Sequence, residues 1–192
     1  MLPENEDSAC LCLIGEPRLM RNSKLIMLPP RQAQIVFVLV TRPDLFASRD
    51  MLAGLLWPNG PQGRASLRQF MGRLKKQSGP LQGWLEIDED GLRLADRRPD
   101  IDFLQLAGAE DVRGDGPVMF PEGLLLEGIE SPTEAFEALL REHRAVLAEQ
   151  RWRLAQRAMR DLTRFGTVER SQLDDWILRL LKAARECPIF CV

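Results

Sequence analysis

Thiol and imidazole groups are scarce in this chain of 192 residues: Cys10, Cys12, Cys187, Cys191 and one histidine, His143. A structural zinc ion needs four converging ligands, usually supplied as two close pairs. Cys10-x-Cys12 projects from one face of a strand, and Cys187-x3-Cys191 brackets Pro188-Ile189-Phe190. The spacing reads as reduced thiols, so no metal is expected. A lone histidine also argues against a His-based metalloenzyme, and His143 is expected to be a surface or half-buried residue without chemistry. No P-loop, dinucleotide fingerprint or G-x-S-x-G nucleophile elbow occurs. Neither an enzyme nor a cofactor is expected.

The second chemical resource is positive charge. Between Arg18 and Lys76 stand eleven basic residues against Asp44 and Asp50, a net of +9 in a chain whose total is -2, which leaves -11 for the rest. One-sided clustering of this kind is the footprint of a polyanion-binding surface. Its densest part is Arg64 to Lys76. At 100° per residue, Leu67, Phe70, Met71 and Leu74 share one helical face, and Arg64, Arg68, Arg73, Lys75 and Lys76 spread around the remainder with Gln69. The centre of the outward face holds Ala65 and Gly72. Glycine inside a helix costs about 1 kcal/mol relative to alanine. A small centre with a cationic rim lets a helix axis approach the floor of a major groove. Arg64, Lys75 and Lys76 are assigned to phosphates; Arg68, Gln69 and Arg73 are assigned to base edges, because arginine pairs bidentately with guanine and glutamine with adenine. The competing explanation is an amphipathic surface helix with hydrated cations.

The elements that mount this helix follow from turn and cap signals. Leu11–Ile14 and Leu25–Leu28 read as strands, with turns at Gly15-Glu16-Pro17 and Arg21-Asn22-Ser23. Pro29-Pro30 can open a helix over Arg31–Val40, and Ser48 can cap a second carrying Met51, Leu52, Leu55 and Leu56. The third helix is predicted from about Pro61 to Gln77. A β-hairpin follows, Trp84–Ile87 and Leu92–Leu94 around Asp88-Glu89-Asp90-Gly91. Its acidic tip disfavours deep groove insertion; Arg93, Arg97 and Arg98 remain able to touch a phosphate backbone beside it. Asp and Gly at this turn are also explained by turn geometry alone. Strands, three helices and a hairpin, in that order, are the layout of an α+β winged helix-turn-helix with an N-terminal β-sheet and a C-terminal hairpin wing.

Leu28-Pro29-Pro30-Arg31-Gln32-Ala33, Leu52-Ala53-Gly54-Leu55-Leu56-Trp57-Pro58, Ala65-Ser66-Leu67-Arg68-Gln69 and Arg73-Leu74-Lys75-Lys76 occur in sequence. Together they resemble the DNA-binding domain of the SARP-type antibiotic regulatory proteins, a branch of the OmpR/PhoB-type winged helices. Gly123 to Gly128, Phe136 and Arg141-Glu142-His143-Arg144 resemble the start of that family's bacterial transcriptional activator domain, which is helical and TPR-like. The resemblance spans roughly residues 10 to 165. It implies transcription factors that bind double-stranded DNA at direct repeats, read it with the third helix and recruit RNA polymerase holoenzyme. It also places a polymerase-contacting loop at Trp57 to Gln62, including Asn59. About nine residues precede the first predicted strand, so phosphorelay control through a receiver domain in this chain is not expected.

The expected organisation is a winged-helix domain over 10–103, a linker over 104–123, and a partial TPR-like helical domain over 124–192. Ser131-Pro132-Thr133-Glu134 reads as a capping box with Ser131 as the cap. The helix after it extends to Phe165-Gly166 with a bend or break near Gln150, and Ser171-Gln172-Leu173-Asp174 opens another with Trp176, Ile177 and Leu180 on one face. A single helical hairpin cannot bury its apolar face unaided. Either it forms a homodimer interface or it packs back on the winged helix. The chain is 45% hydrophobic, lacks an apolar run long enough to span a membrane, and carries Glu4-Asn5-Glu6-Asp7 where a signal peptide would be basic. A cytoplasmic transcription regulator without a membrane partner is the expectation. Its competitor is a protein-interaction module on the same scaffold that does not bind DNA.

Overall fold

A computed structural model describes residues 9–22, 24–58, 60–76, 79–96, 98–107 and 123–165. Asn59, Arg97, Cys187, Cys191 and the helix predicted after Ser171 lie outside the described residues. The fold is mixed α+β. Strands β1 (Ala9–Cys12), β2 (Arg18–Arg21) and β3 (Lys24–Met27) precede helix α1 (Pro30–Val40). Strand β4 (Phe46–Ser48) leads into α2 (Arg49–Leu56) and α3 (Gly60–Lys76). Strands β5 (Leu85–Ile87), β6 (Gly91–Leu94) and β7 (Asp100–Ile101) are followed by α4 (Asp102–Ala107) and α5 (Glu134–Phe165).

The strands form two sheets, one in the order β3-β2-β1-β7 and the other in the order β4-β6-β5. In the first, β1 pairs antiparallel with β2 and parallel with β7. In the second, β4 is antiparallel to β6, with Ala47 opposite Leu92. Three residues are too few to announce a strand, and β4 exists because β6 offers it a partner.

Helix α1 is the core of the assembly. Pro30 occupies its first turn, where a missing N–H costs nothing, and every residue from Ala33 to Val40 is buried. Gln34 is the polar exception; its Nε2 donates to Glu130 O at 2.8 Å and its Oε1 accepts from Arg31 at 3.0 Å. Ser48 caps α2, as its sequence position predicts, by accepting from Met51 N–H at 3.3 Å.

Asp102 ties the first sheet to α4. Its carboxylate accepts from the backbone N–H groups of Leu13 (2.8 Å), Ile14 (3.0 Å) and Phe103 (2.7 Å). Burial pushes its pKa up, against the pull of those three donors and of Arg18.

The long helix α5 packs back on this body. Phe136, Leu140 and Leu147 belong to the same buried cluster as Leu11, Phe37 and Leu52. His143 fits edge-on against Phe37 and Phe103, with ring centroids 5.7 and 5.8 Å apart. Two expectations for this region are corrected. The cap of α5 is Thr133, whose Oγ1 accepts from Phe136 N–H at 3.0 Å and donates to Leu55 O at 2.7 Å. Ser131 instead donates to the Glu137 carboxylate. Both hydroxyls suit a cap, and the bond to α2 selects Thr133. Of the bend or break expected near Gln150, the break is absent, since the helix is continuous from Glu134 to Phe165. Among the described residues no helix is long and apolar enough to cross a membrane.

Candidate nucleic-acid interface

Helix α3 divides as its periodicity predicts. Leu67 and Met71 are buried and Phe70 and Leu74 half-buried against the core. Arg64, Ala65, Arg68, Gln69, Gly72, Arg73, Lys75 and Lys76 are all exposed. A methyl group added at Gly72 would meet nothing within 4 Å, so the centre of the outward face is open. Arg73, Lys75 and Lys76 occupy the last turn, where cations also offset the negative end of the helix dipole by about 0.3–1 kcal/mol each.

The cations are not equivalent. Arg64 Nε lies 3.0 Å from Asp50 Oδ1, so the phosphate role assigned to it competes with an internal ion pair. That pair is about two-thirds or more exposed on both sides and correspondingly weak. Among the described residues no carboxylate pairs with Arg68, Arg73, Lys75 or Lys76.

One helical glycine escaped the sequence reading. Gly63 is buried where α3 crosses the end of α2, and a methyl group there would lie 2.5 Å from Trp57 O. Its signal was its place four residues before Leu67, on the core stripe. Beside it, Trp57 is half-buried and committed to the interior. Its ring packs 5.8 Å from Phe70, and the Arg31 guanidinium sits 4.7 Å over it. Arg31 also donates to Leu56 O at 2.7 Å, and burial lowers its pKa. Arg31 is one of the eleven basic residues between Arg18 and Lys76, and its role is structural. The loop assigned to polymerase contact is shorter than expected: α3 begins at Gly60, so Gln62 lies in its first turn, where it is exposed.

The hairpin is anchored at both its tip and its second strand. Asp88 Oδ1 accepts from Asp90 N–H at 2.9 Å and Gly91 N–H at 2.7 Å, and these bonds hold its carboxyl below the usual range. Arg49, at the start of α2, donates through Nη2 to Asp88 O at 2.6 Å. The acidic tip is therefore docked on α2. Turn geometry is not what requires glycine at position 91: an added methyl group would run into the Ala47 carbonyl and the Phe46 ring. Arg93, assigned to a phosphate, is exposed, but its Nη1 donates to Asp44 O at 2.8 Å and its guanidinium lies 5.1 Å from the Phe46 ring centroid. Lys75 and Leu74 share a 230 Å³ cavity with Leu85 and Ile87, which sets the hairpin beside the end of α3.

Cys10 and Cys12 are half-buried on β1, and His143 packs against the Phe37 and Phe103 rings. Among the described residues no three His, Cys, Asp or Glu side chains converge as metal ligands. No protein-family model matches the chain, and no curated protein matches it.

Proposed function

We propose that the chain is a sequence-specific DNA-binding transcription regulator whose α3 enters the major groove. The observation that carries this reading is the open outward face of α3, with Ala65 and Gly72 uncovered between Arg68, Arg73, Lys75 and Lys76. The element order supports a winged-helix reading of the OmpR/PhoB type. Three helices stand between an N-terminal sheet and a hairpin, and the strand between the first two helices pairs with that hairpin. On this reading α2 and α3 are the helix-turn-helix and β5–β6 the wing. The hairpin tip docked on Arg49 favours a wing that flanks the backbone and does not enter the minor groove. The resemblance to SARP-type regulators adds recruitment of RNA polymerase, with Gln62, exposed in the first turn of α3, as the contact residue.

The test is binding of genomic DNA fragments across salt concentrations. Affinity should fall steeply with salt, because phosphate contacts release counterions. Changing Arg68 and Arg73 together to alanine should relax sequence preference, whereas changing Lys75 and Lys76 should weaken all sequences alike. Equal losses from both pairs would overturn the division of roles. A second reading, a protein-interaction module that does not bind DNA, draws on β3, where Leu25, Ile26 and Met27 are exposed. It predicts a stable protein complex and no salt-sensitive DNA binding.

A further inference from the structure

The outer face of the first sheet is unusual for a surface open to water. Alternation along β1 sends Leu11 inward, where it is fully buried, and sends Cys10 and Cys12 outward together. The antiparallel register sets Met20 of β2 directly opposite Cys10 and Arg18 opposite Cys12. Directly opposed side chains have Cβ atoms about 4.5–5.5 Å apart. Cys10 and Cys12 stand two residues apart on the same face of β1. Three sulfurs are thus gathered on paired strands in the interior of the sheet, β1 lying between β2 and β7, and β2 between β1 and β3. Both cysteines are half-buried and Met20 is 36% exposed, so the cluster can be reached from solvent.

We propose that Cys10, Cys12 and Met20 bind a soft monovalent metal ion of the Cu(I) class. Thiolate and thioether are the ligands such ions select, and two or three of them suffice. Zinc would need a further convergent His, Cys, Asp or Glu, and the described residues supply none. Binding replaces the thiol protons with the metal and leaves a bis-thiolate complex of net negative charge. Arg18, opposite Cys12, offsets that charge, while Asp100 on β7 and Asp102 on α4 oppose it. Burial and the neighbouring thiol hold Cys10 up to about 12, so the free thiols stay protonated and the metal must displace both protons. The site is independent of α3 and does not rest on the DNA-binding reading.

The experiment uses the full chain, reduced and anaerobic, with Cu(I) supplied as its bathocuproine disulfonate complex, whose colour falls as metal is withdrawn. Wild type and the double variant Cys187→Ser/Cys191→Ser should each withdraw one Cu(I) per chain. Cys10→Ser or Cys12→Ser should lower affinity at least about 100-fold, and the near-isosteric Met20→Leu about tenfold. Cys10→Ala and Cys12→Ala repeat the measurement where serine shifts the melting temperature of the metal-free protein. Failure of the wild type to withdraw Cu(I), retention of affinity without Cys10 and Cys12, or tighter binding of Zn(II) than of Cu(I) would each overturn the proposal. An unchanged affinity in Met20→Leu would overturn the three-sulfur donor set.

Discussion

Arg64 reaches from α3 to Asp50 in the first turn of α2, with Nε 3.0 Å from Oδ1. Asp50 is one of only two acids between Arg18 and Lys76, and it neutralises a cation on the proposed DNA-facing helix. Asp50→Asn should therefore release Arg64 to a phosphate. Anisotropy titrations should show tighter DNA binding and a log–log salt dependence steeper by about one contact. Folding stability should change by less than about 1 kcal/mol, as expected for an exposed pair. Arg64→Ala alone should cost little affinity in the wild type and more in the Asp50→Asn background.

The outward face of α3 was legible in the sequence because a strong 3.6-residue period needs no tertiary information: Leu67 and Met71 are buried where the spacing put them. Counting charge was less informative. Arg31, Arg49 and Arg93 each donate to a backbone carbonyl of another segment, those of Leu56, Asp88 and Asp44, and no local pattern announces such bonds. Asp102 was invisible for the same reason, since two of its three N–H donors lie 88 and 89 residues away. At the start of α5 the sequence offered two hydroxyls for one cap, and the Leu55 carbonyl decided between them.

Gly63 and Gly54 should respond oppositely to alanine. Alanine favours a helix interior over glycine by about 1 kcal/mol, and at exposed Gly54 an added methyl meets nothing within 4 Å. Gly54→Ala should raise the urea midpoint. At Gly63 the same methyl meets Trp57 O at 2.5 Å and Trp57 Cβ at 3.1 Å, atoms that cannot yield without moving the α2–α3 turn. Overpacking of about 1–3 kcal/mol should win there and lower the midpoint. Tryptophan fluorescence should change as well, because Trp57 is displaced from Phe70.

His143 should make stability fall in acid. Burial against Phe37 and Phe103 lowers its pKa from the usual 6.5; Arg42 pushes in the same direction and Glu142 in the other. Below about pH 6.5 the unfolded chain takes up a proton that the folded chain resists, so stability is lost as pH falls from 6.5 toward the lowered value. Melting temperatures between pH 7.5 and 5 should decline. The decline should be shallower in His143→Phe, which keeps a ring in contact with both phenylalanines and has no proton to gain. A slope unchanged by the substitution would assign the acid sensitivity elsewhere.

Gly72 separates the groove-binding helix from a merely hydrated one. It stands exposed inside α3 with open space beyond it, so alanine there should stabilise the fold by about 1 kcal/mol and raise the melting temperature. If α3 lies deep in a major groove, the added methyl narrows the closest approach of helix and bases, and a leucine obstructs it. Gly72→Ala should then weaken binding modestly and Gly72→Leu severely, while both variants melt at or above the wild-type temperature. A helix that only carries hydrated cations predicts the same gain in stability with unchanged affinity. Opposite movement of stability and binding in one variant is the result that the close-approach geometry requires.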